Sequence, residues 1–419
     1  MQRTLLTTYR YRLDPTAEQE RLLIQFAGAR RWVWNWALNR KREHFRRSGK
    51  TLSYNQLAAE LTLLKQQSAT AWLRESDSQS LQQALRDLDN AFQQFFRRLR
   101  KGEKKAGFPN FKSRKTDPPR FRIPQRVRLE GSQVLVPKIG LIKLILHRPL
   151  EGVIKSATFK REACGHWFVS LVVEQPRAPK VARPVQTHIG IDLGLKSLAV
   201  LSSGETIENP RWYRVQSRKL RRAQQALSRK LTGSRNRGKA RLVVARLHQK
   251  IRNQRTDFLH KLSTELIGHN DLLSIEDLNV GGLAKGKLAA SVLDAGWGMF
   301  RAMLAYKAER QDKHLITIGR FFPSSKTCGA CGRVNADLTR ADREWNCWCG
   351  VHHDRDLNAA RNIDREGVRL FEQNVAAGDA ETQNACGDWV SPIGTAVSYT
   401  HLRAHATDSQ LVCRLLLEK

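Results

Sequence analysis

The chain has 419 residues, and 73 Lys and Arg against 39 Asp and Glu give a formal net charge of +34 at pH 7. A charge of that size calls for a polyanionic partner, either nucleic acid or an anionic membrane surface, while 41% hydrophobic residues exclude a wholly disordered basic tail. No run approaches the about 18 apolar residues of a membrane span, and MQRTLLTTYRYRLDP lacks the apolar core of a secretory signal, so an intracellular, cytoplasmic protein is expected.

Leu5, Thr7, Tyr9, Tyr11 and Leu13 alternate along residues 1–15 and predict a strand that ends at Asp14-Pro15. The period then turns helical. Phe26, Trp32, Trp36 and Leu38 predict an amphipathic helix over 18–47, and Leu81, Leu85, Leu88, Phe92 and Phe95 predict another over 80–99. Trp32 and Trp36 stand one turn apart and are expected in the core, which puts Trp34 off that face. Residues 97–128 interleave Arg and Lys with Phe108, Phe111 and Phe121, and their Pro and Gly predict an extended basic connector in which Lys112 and Arg114 are candidate nucleic-acid contacts. Short strands follow over 126–175, with hairpins about Gly131-Ser132 and about Gly165, which suggests a small barrel or sandwich. The Pro-rich stretch 175–184 predicts a linker.

Beyond it, HIGIDLGLKSLAVLSSGETIENP reads as strand, turn, strand, turn. Between Arg211 and Arg255 there are 16 Lys or Arg and no Asp or Glu, which predicts a basic helix pair along a phosphate backbone, with Arg218, Arg222, Arg229 and Arg237 as candidate contacts. DLLSIEDLN is a short apolar strand ending in two acids, 297–312 is helical, and HLITIGRFFP is a strand that leads into a group of cysteines.

Three acids stand out by position. Asp192 lies inside the apolar strand IGIDLG, where a charge is costly unless it is paired or holds a metal. Glu276 ends LLSI, and Asp356 opens the helix DLNAARNI. Each alone also fits a turn, strand-end or helix-first-turn role, while carboxylates together can hold hard cations such as Mg²⁺, which prefer oxygen ligands. Hydrolysis of a phosphodiester uses two such ions about 3.5 to 4 Å apart, one activating water and one stabilising the leaving oxygen. Of seven cysteines, Cys328, Cys331, Cys347 and Cys349 crowd together. Two pairs, each followed by Gly, are the ligand set of a structural Zn²⁺ site. The second pair is CxC rather than CxxC, so His352 or a water is a candidate replacement for one thiolate.

With these residues in hand, GIDLGLKSLAV, LLSIEDLN and HDRDLNAARNI resemble the three acidic motifs of a RuvC-like nuclease domain of ribonuclease H fold. The chain resembles the TnpB (OrfB) family of insertion-sequence-encoded RNA-guided DNA nucleases, relatives of the type V CRISPR effectors, from the RRWVWNW helix through LQQALRDLDNAFQQFFRRL and FPNFKSRK to NACG. The resemblance implies catalytic roles for Asp192, Glu276 and Asp356, a guide RNA and target double-stranded DNA as partners, and a short motif beside the target that the protein reads itself. It implies a multidomain α/β protein: a β-barrel of 1–15 and 117–180, a helical recognition domain of 16–116 inserted in it, a ribonuclease H-like nuclease domain of 186–320 and 353–395, and a zinc ribbon of 321–352. From about Val397 the sequence is similar to translated sequencing-adapter sequence, so 397–419 is expected to be an artefactual tail in which His401, His405 and Cys413 have no evolved role. Two rivals are a catalytically silent RNA-guided repressor, against which the presence of all three acids argues, and a strand-joining transposase, since the ribonuclease H fold serves that reaction too.

Overall fold

The computed structural model describes residues 3–103, 106–177, 184–339 and 341–376. The expectations for NACG, for the tail 397–419 and for residues 377–395 lie outside the described residues. The chain divides into two compact units between Pro179 and Lys180, inside the Pro-rich stretch.

In the first unit, β1 (Arg3–Asp14) leads into α1 (Ala17–Ser48). Thr16 and Gln19 open α1 with a reciprocal capping box, and Gly49, at φ +68°, closes it in the left-handed conformation. A second capping box, Ser53 with Gln56, starts α2 (Tyr54–Leu64), which is followed by a 3₁₀ segment (Ser68–Glu75) and α3 (Ser78–Arg100). The strands β2 (Arg120–Ile123), β3 (Arg128–Glu130), β4 (Gln133–Val136), β5 (Gly140–Ile145), β6 (Val153–Arg161) and β7 (Trp167–Arg177) join β1 in one antiparallel sheet of order β2-β6-β7-β1-β5-β4-β3. Where a barrel is expected from sequence, the ladder has two ends, β2 and β3. Alternate residues of its strands, among them Tyr11, Phe121, Phe159 and Trp167, form one core with Phe26 of α1.

The helices enclose their own core of Val33, Trp34, Ala37 and Leu38 from α1 with Leu57, Leu61, Leu81, Leu85 and Leu88. This reverses the expected roles of the tryptophans. Trp34 is buried, at 6% exposure, because it follows Val33 on the stripe that continues through Ala37 and Leu38, while Trp32 and Trp36 flank the core half-buried. The indole N–H of Trp34 donates to the Asn110 carbonyl at 3.0 Å, and Asn35 exchanges two hydrogen bonds of 2.8 Å with the backbone of Lys112, so the basic connector is pinned along α1.

In the second unit, β8 (His188–Leu193), β9 (Ser197–Leu201), β10 (Thr206–Glu208), β11 (Leu272–Glu276) and β12 (His314–Ile318) form a mixed sheet of order β10-β9-β8-β11-β12. β11 runs parallel to both β8 and β12, while β9 and β10 are antiparallel. Between β10 and β11 come α4 (Trp212–Ser228) and α5 (Arg235–His269); between β11 and β12 come α6 (Val280–Leu283), α7 (Ala289–Ala295) and α8 (Trp297–Arg310). After β12, β13 (Glu344–Asn346) and β14 (His352–Asp354) pair as a hairpin, and α9 (Arg355–Ala376) follows. No described helix is long and apolar enough to cross a membrane.

The two faces of this sheet differ. Ile189, Ile191 and Leu193 of β8 and Leu273 and Ile275 of β11 join residues of α5, α7 and α8 in one apolar core. Alternation then turns Gly190, Asp192, Ser274 and Glu276 to the opposite face, where α9 packs. The contact is close enough that a Cβ on Gly190 would stand 2.2 Å from the Ala360 carbonyl oxygen and one on Gly367 would stand 1.8 Å from Ser274 Oγ. Gly367→Ala is therefore expected to destabilise the chain by about 1–3 kcal/mol despite alanine's better helix propensity. Gly238→Ala, where a Cβ meets nothing within 4 Å, is expected to be neutral or stabilising. Urea unfolding of both variants checks this; a Gly367→Ala as stable as the parent would show that the helix rides higher than described.

Candidate active site and cysteine cluster

The last ladder pair of the parallel strands β8 and β11 is Ile191 with Ile275. One residue further on, Asp192 and Glu276 therefore leave the same edge of the sheet side by side, on the face that α9 covers. Asp356 sits in the first turn of α9. The three acids act on one another: burial first, then the charges of Glu276 and Asp356, push the Asp192 carboxyl up to about 8 against the opposing pull of Arg355.

Each of the other acids near these positions is already engaged. Asp277, the second acid of LLSIED, pairs with Arg301 at 2.7 Å and with Arg320 at 2.5 Å. Asp354 caps α9 by accepting from the Leu357 backbone N–H at 2.8 Å. Asp294 is buried beside Arg255 and accepts from the Tyr213 N–H at 3.0 and 2.9 Å, so it caps α4 from another element. Of the converging three, Asp356 keeps Arg343 at 3.3 Å and Glu276 accepts from the Ser324 hydroxyl. A cluster of carboxylates whose central member is driven toward its neutral form is a donor set suited to hard divalent cations.

The cysteine cluster lies along the same helix. The Sγ atoms of Cys328, Cys331, Cys347 and Cys349 all lie within 4.8 Å of one another. Cys328 to Cys349 is 3.7 Å and Cys331 to Cys347 is 3.6 Å, close to the edge of about 3.8 Å for a tetrahedron built on Zn–S bonds of about 2.3 Å. The CxC spacing therefore closes with all four sulfurs. His352, the residue expected as a substitute, points away to Asn346 at 2.8 Å. It is His353 that approaches, with Nε2 at 3.1 Å from Cys328 Sγ. Burial acts to raise the Cys328 thiol, but the backbone N–H groups of Cys331 and Ala330 and the His353 ring outweigh it and bring it down to about 5.

Two residues absent from the sequence reading hold the site together. Asn358 and Asn362, buried on α9, donate to the Thr327 carbonyl at 2.7 Å each, and Asn362 also donates to the Ser324 carbonyl at 2.8 Å. They fix the segment that presents Cys328 and also Ser324, which contacts Glu276. Their signal in sequence is the i, i+4 pair of asparagines in DLNAARN, one stripe of a helix.

Of the candidate phosphate contacts, Arg218, Arg222 and Arg229 are exposed on and beside α4, and Arg114 is exposed on the connector. Arg237 is spent on the carbonyls of Lys230 at 2.8 Å and Leu227 at 3.2 Å, where it closes the turn between α4 and α5. The Lys112 ammonium lies 3.2 Å from the Trp34 ring centroid, and burial first, then Arg30, lower it to about 7.

Family models match three stretches: one described as "Probable transposase" over residues 170–287, one described as a Cas12f1-like TNB domain over 297–363 and a helix-turn-helix domain over 1–50. A provisionally named RNA-guided DNA endonuclease of Streptomyces pristinaespiralis is 41% identical over 397 residues, 94% of each chain. The InsQ protein of Escherichia coli K12, provisionally named in the same way, is 34% identical over 92% of this chain and 95% of its own. In fold, the chain is similar to Cas12f1 in a complex with single-guide RNA and target DNA, at TM-score 0.52 and 14% identity over 86% of this chain and 99% of that one. The chain belongs to the TnpB (OrfB) family.

Two outcomes follow from the geometry. Because the folded-state value of Asp192 lies above its unfolded value, the folded chain binds more protons between about pH 4 and 8, so its stability falls as pH rises through that window. In EDTA, Asp192→Asn is expected to melt higher than the parent, with a gain that is near zero at pH 4, grows to about pH 8 and shrinks when Mg²⁺ is added; a gain independent of pH would mean a solvated carboxylate. For the thiols, elemental analysis is expected to find about one zinc per chain and none in Cys328→Ser. A parent chain that folds without zinc would overturn the metal assignment.

Proposed function

We propose that this member of the TnpB family is an RNA-guided DNA endonuclease of a transposable element, and that it cuts double-stranded target DNA at Asp192, Glu276 and Asp356. What supports the proposal is that Asp192 and Glu276 follow the last ladder pair of neighbouring parallel strands, and that burial and the charges of Glu276 and Asp356 push Asp192 up to about 8. We read the sheet and α9 as a ribonuclease H-like, RuvC-type nuclease core, the cysteine segment as an inserted zinc ribbon, and the helices between β1 and β2 as a recognition domain set into the β-sheet domain. The names of the relatives support guided DNA cleavage, and the +34 charge supports nucleic acid as the partner.

Mg²⁺ held by the three carboxylates would activate the attacking water and stabilise the leaving 3′ oxygen. The chain's own part is to orient and to exclude competing ligands. Ser324 donates to one oxygen of Glu276 and so fixes that carboxylate in place. Arg301 and Arg320 draw Asp277 away, leaving Glu276 as the acid at the end of β11 that remains available. Arg218, Arg222 and Arg229 present cations to phosphates without reading sequence. Base pairing with a guide RNA selects the target, and the protein reads only a short flanking motif. The work is done on DNA inside the cell.

A second reading, strand joining, is favoured by the "Probable transposase" description of the model over 170–287. A labelled element end separates the two: joined products support transposition, whereas free cut ends support the nuclease. Alanine at Asp192, Glu276 or Asp356 is expected to lower guided cleavage at least about 100-fold while leaving guided DNA binding intact. Glutamine at Arg218, Arg222 and Arg229 together is expected to do the reverse at saturation, weakening binding and reducing the slope of log affinity against log salt by about 0.7–0.9 per lost phosphate contact. Cleavage that survives Asp356→Ala, with Asp354 left as a cap, would sink the three-carboxylate site.

A further inference from the structure

A cavity of about 330 Å³ opens between α1 and the 3₁₀ segment, lined by Gly28, Arg31, Trp32, Asn35, Trp72 and Arg114. Trp32 meets Trp72 edge to face at 5.7 Å with the ring planes 79° apart, and Trp36 stacks on Trp32 at 6.4 Å, so two aromatic rings set nearly at right angles form a corner of the recess. Trp72 remains 36% exposed. The rim carries two guanidinium groups, those of Arg31 and Arg114, that have no hydrogen-bond or ion-pair partner among the described residues. Their neighbours differ: Arg30 takes Asp117 at 3.0 Å and Asp87 at 3.7 Å, and Arg120 reaches the same Asp117 at 3.7 Å. Asp87 and Asp117 are thus already occupied, and Glu75 of the 3₁₀ segment accepts from the amide of Gln25, which also lines the cavity. Arg114 is held at this rim because Asn35 clamps the backbone of Lys112, two residues away.

Gly28 supplies an independent observation. It sits in the middle of α1, a helix of 32 residues, where glycine disfavours the helix relative to alanine. A Cβ there would meet nothing within 4 Å, so neither close packing nor backbone geometry calls for glycine. What its missing side chain provides is the floor of the cavity.

We infer that this recess holds one unstacked nucleobase of a single strand, stacked on one of the two tryptophan rings and meeting the other at its edge, with its phosphate on Arg31 and Arg114. An aromatic wall fits the π-face of any base and a pair of unpaired guanidinium groups fits a phosphate, which is the chemistry of sequence-tolerant single-strand binding. The inference rests on the nucleic-acid reading above but not on the carboxylate site. A strand of either sugar offers this chemistry, the guide RNA or an unpaired strand of the DNA.

The test uses the full chain, stripped of nucleic acid, with fluorescent single-stranded RNA and DNA 12-mers in EDTA, read by anisotropy over a salt series. Gly28→Leu fills the recess from a helical position, and Trp72→Ala removes one wall. Each is expected to weaken binding about tenfold with an unchanged salt slope, and Trp72→Phe to restore most of it. Arg114→Ala is expected to lower the slope by about 0.7, as loss of one phosphate on a single strand requires. A defect confined to RNA assigns the guide, and one confined to DNA assigns an unpaired target strand. If Gly28→Leu melts no lower than the parent and binds both strands equally well, the recess is empty packing and the inference is wrong. If the parent binds neither strand, the nucleic-acid reading itself fails.

Discussion

Helix α9 approaches the central sheet closely at two glycines, Gly190 of β8 and Gly367 of the helix, and the rest of the candidate site depends on that contact. A helix held off by ordinary side chains would carry its first turn away from the strand ends. At this separation Asp356 is close enough to Asp192 for its charge to be felt. The N-terminal end of α9 also brings the positive end of its dipole toward the acids, which eases the crowding of like charge. The buried Ser274 hydroxyl against Gly367 has no hydrogen-bond partner, a cost that the close approach imposes on the fold.

The protein has an excess of cations, yet it leaves these carboxylates undercompensated. Asp277 takes two arginines, Asp354 a backbone N–H, and Asp294 a helix terminus with Arg255. Each of those acids has a fixed partner. Asp192 instead gains repulsion from both neighbours and is desolvated besides. Stability alone would select an amide or an apolar residue at this point of β8, so a carboxylate there indicates a cation demand. The arginines divide in the same manner, with Arg30, Arg237 and Arg255 serving the fold and Arg218, Arg222 and Arg229 left to solvent.

Elements whose signals are local were legible in the sequence. Alternation found β1, short apolar runs found β8 and β11, the left-handed glycines Gly131 and Gly165 closed the expected hairpins, helical spacing found α1 and α3, and the acid-free run of Lys and Arg found the basic pair α4 and α5. Asp192 and Glu276 stood out because a charge in or at the end of an apolar strand is conspicuous, and Asp356 because it opens a helix. What escaped depends on contacts distant in sequence. The core role of Trp34 required knowing that the connector at Asn110 folds over its indole N–H. The loss of Lys112 to that same ring and of Arg237 to the carbonyls of a turn follows from tertiary neighbours that charge counting does not see. The choice between His352 and His353 was decided by strand parity: on β14 adjacent residues face opposite ways, and it is His353 that faces the sulfurs. The helix α2 did carry a local signal, the Ser53 and Gln56 box, that the sequence reading passed over.

The cysteine cluster and the carboxylates suit different kinds of metal, thiolates Zn²⁺ and carboxylates Mg²⁺, but they are mechanically one structure. Asn362 bridges the Thr327 and Ser324 carbonyls, one residue from Cys328 and at the hydroxyl donor of Glu276 respectively. Gly329 packs against Asn358 so tightly that a Cβ would stand 2.8 Å from its Oδ1. Four thiolates leave no open coordination position for water or phosphate, so the cluster contributes no step of its own to phosphodiester chemistry. Its influence travels through α9: closure of the sulfurs fixes the segment 324–329, that segment fixes Ser324, and Ser324 fixes the direction of Glu276. Loosening the cluster would therefore change the geometry of the acids while leaving every one of their donor atoms in place.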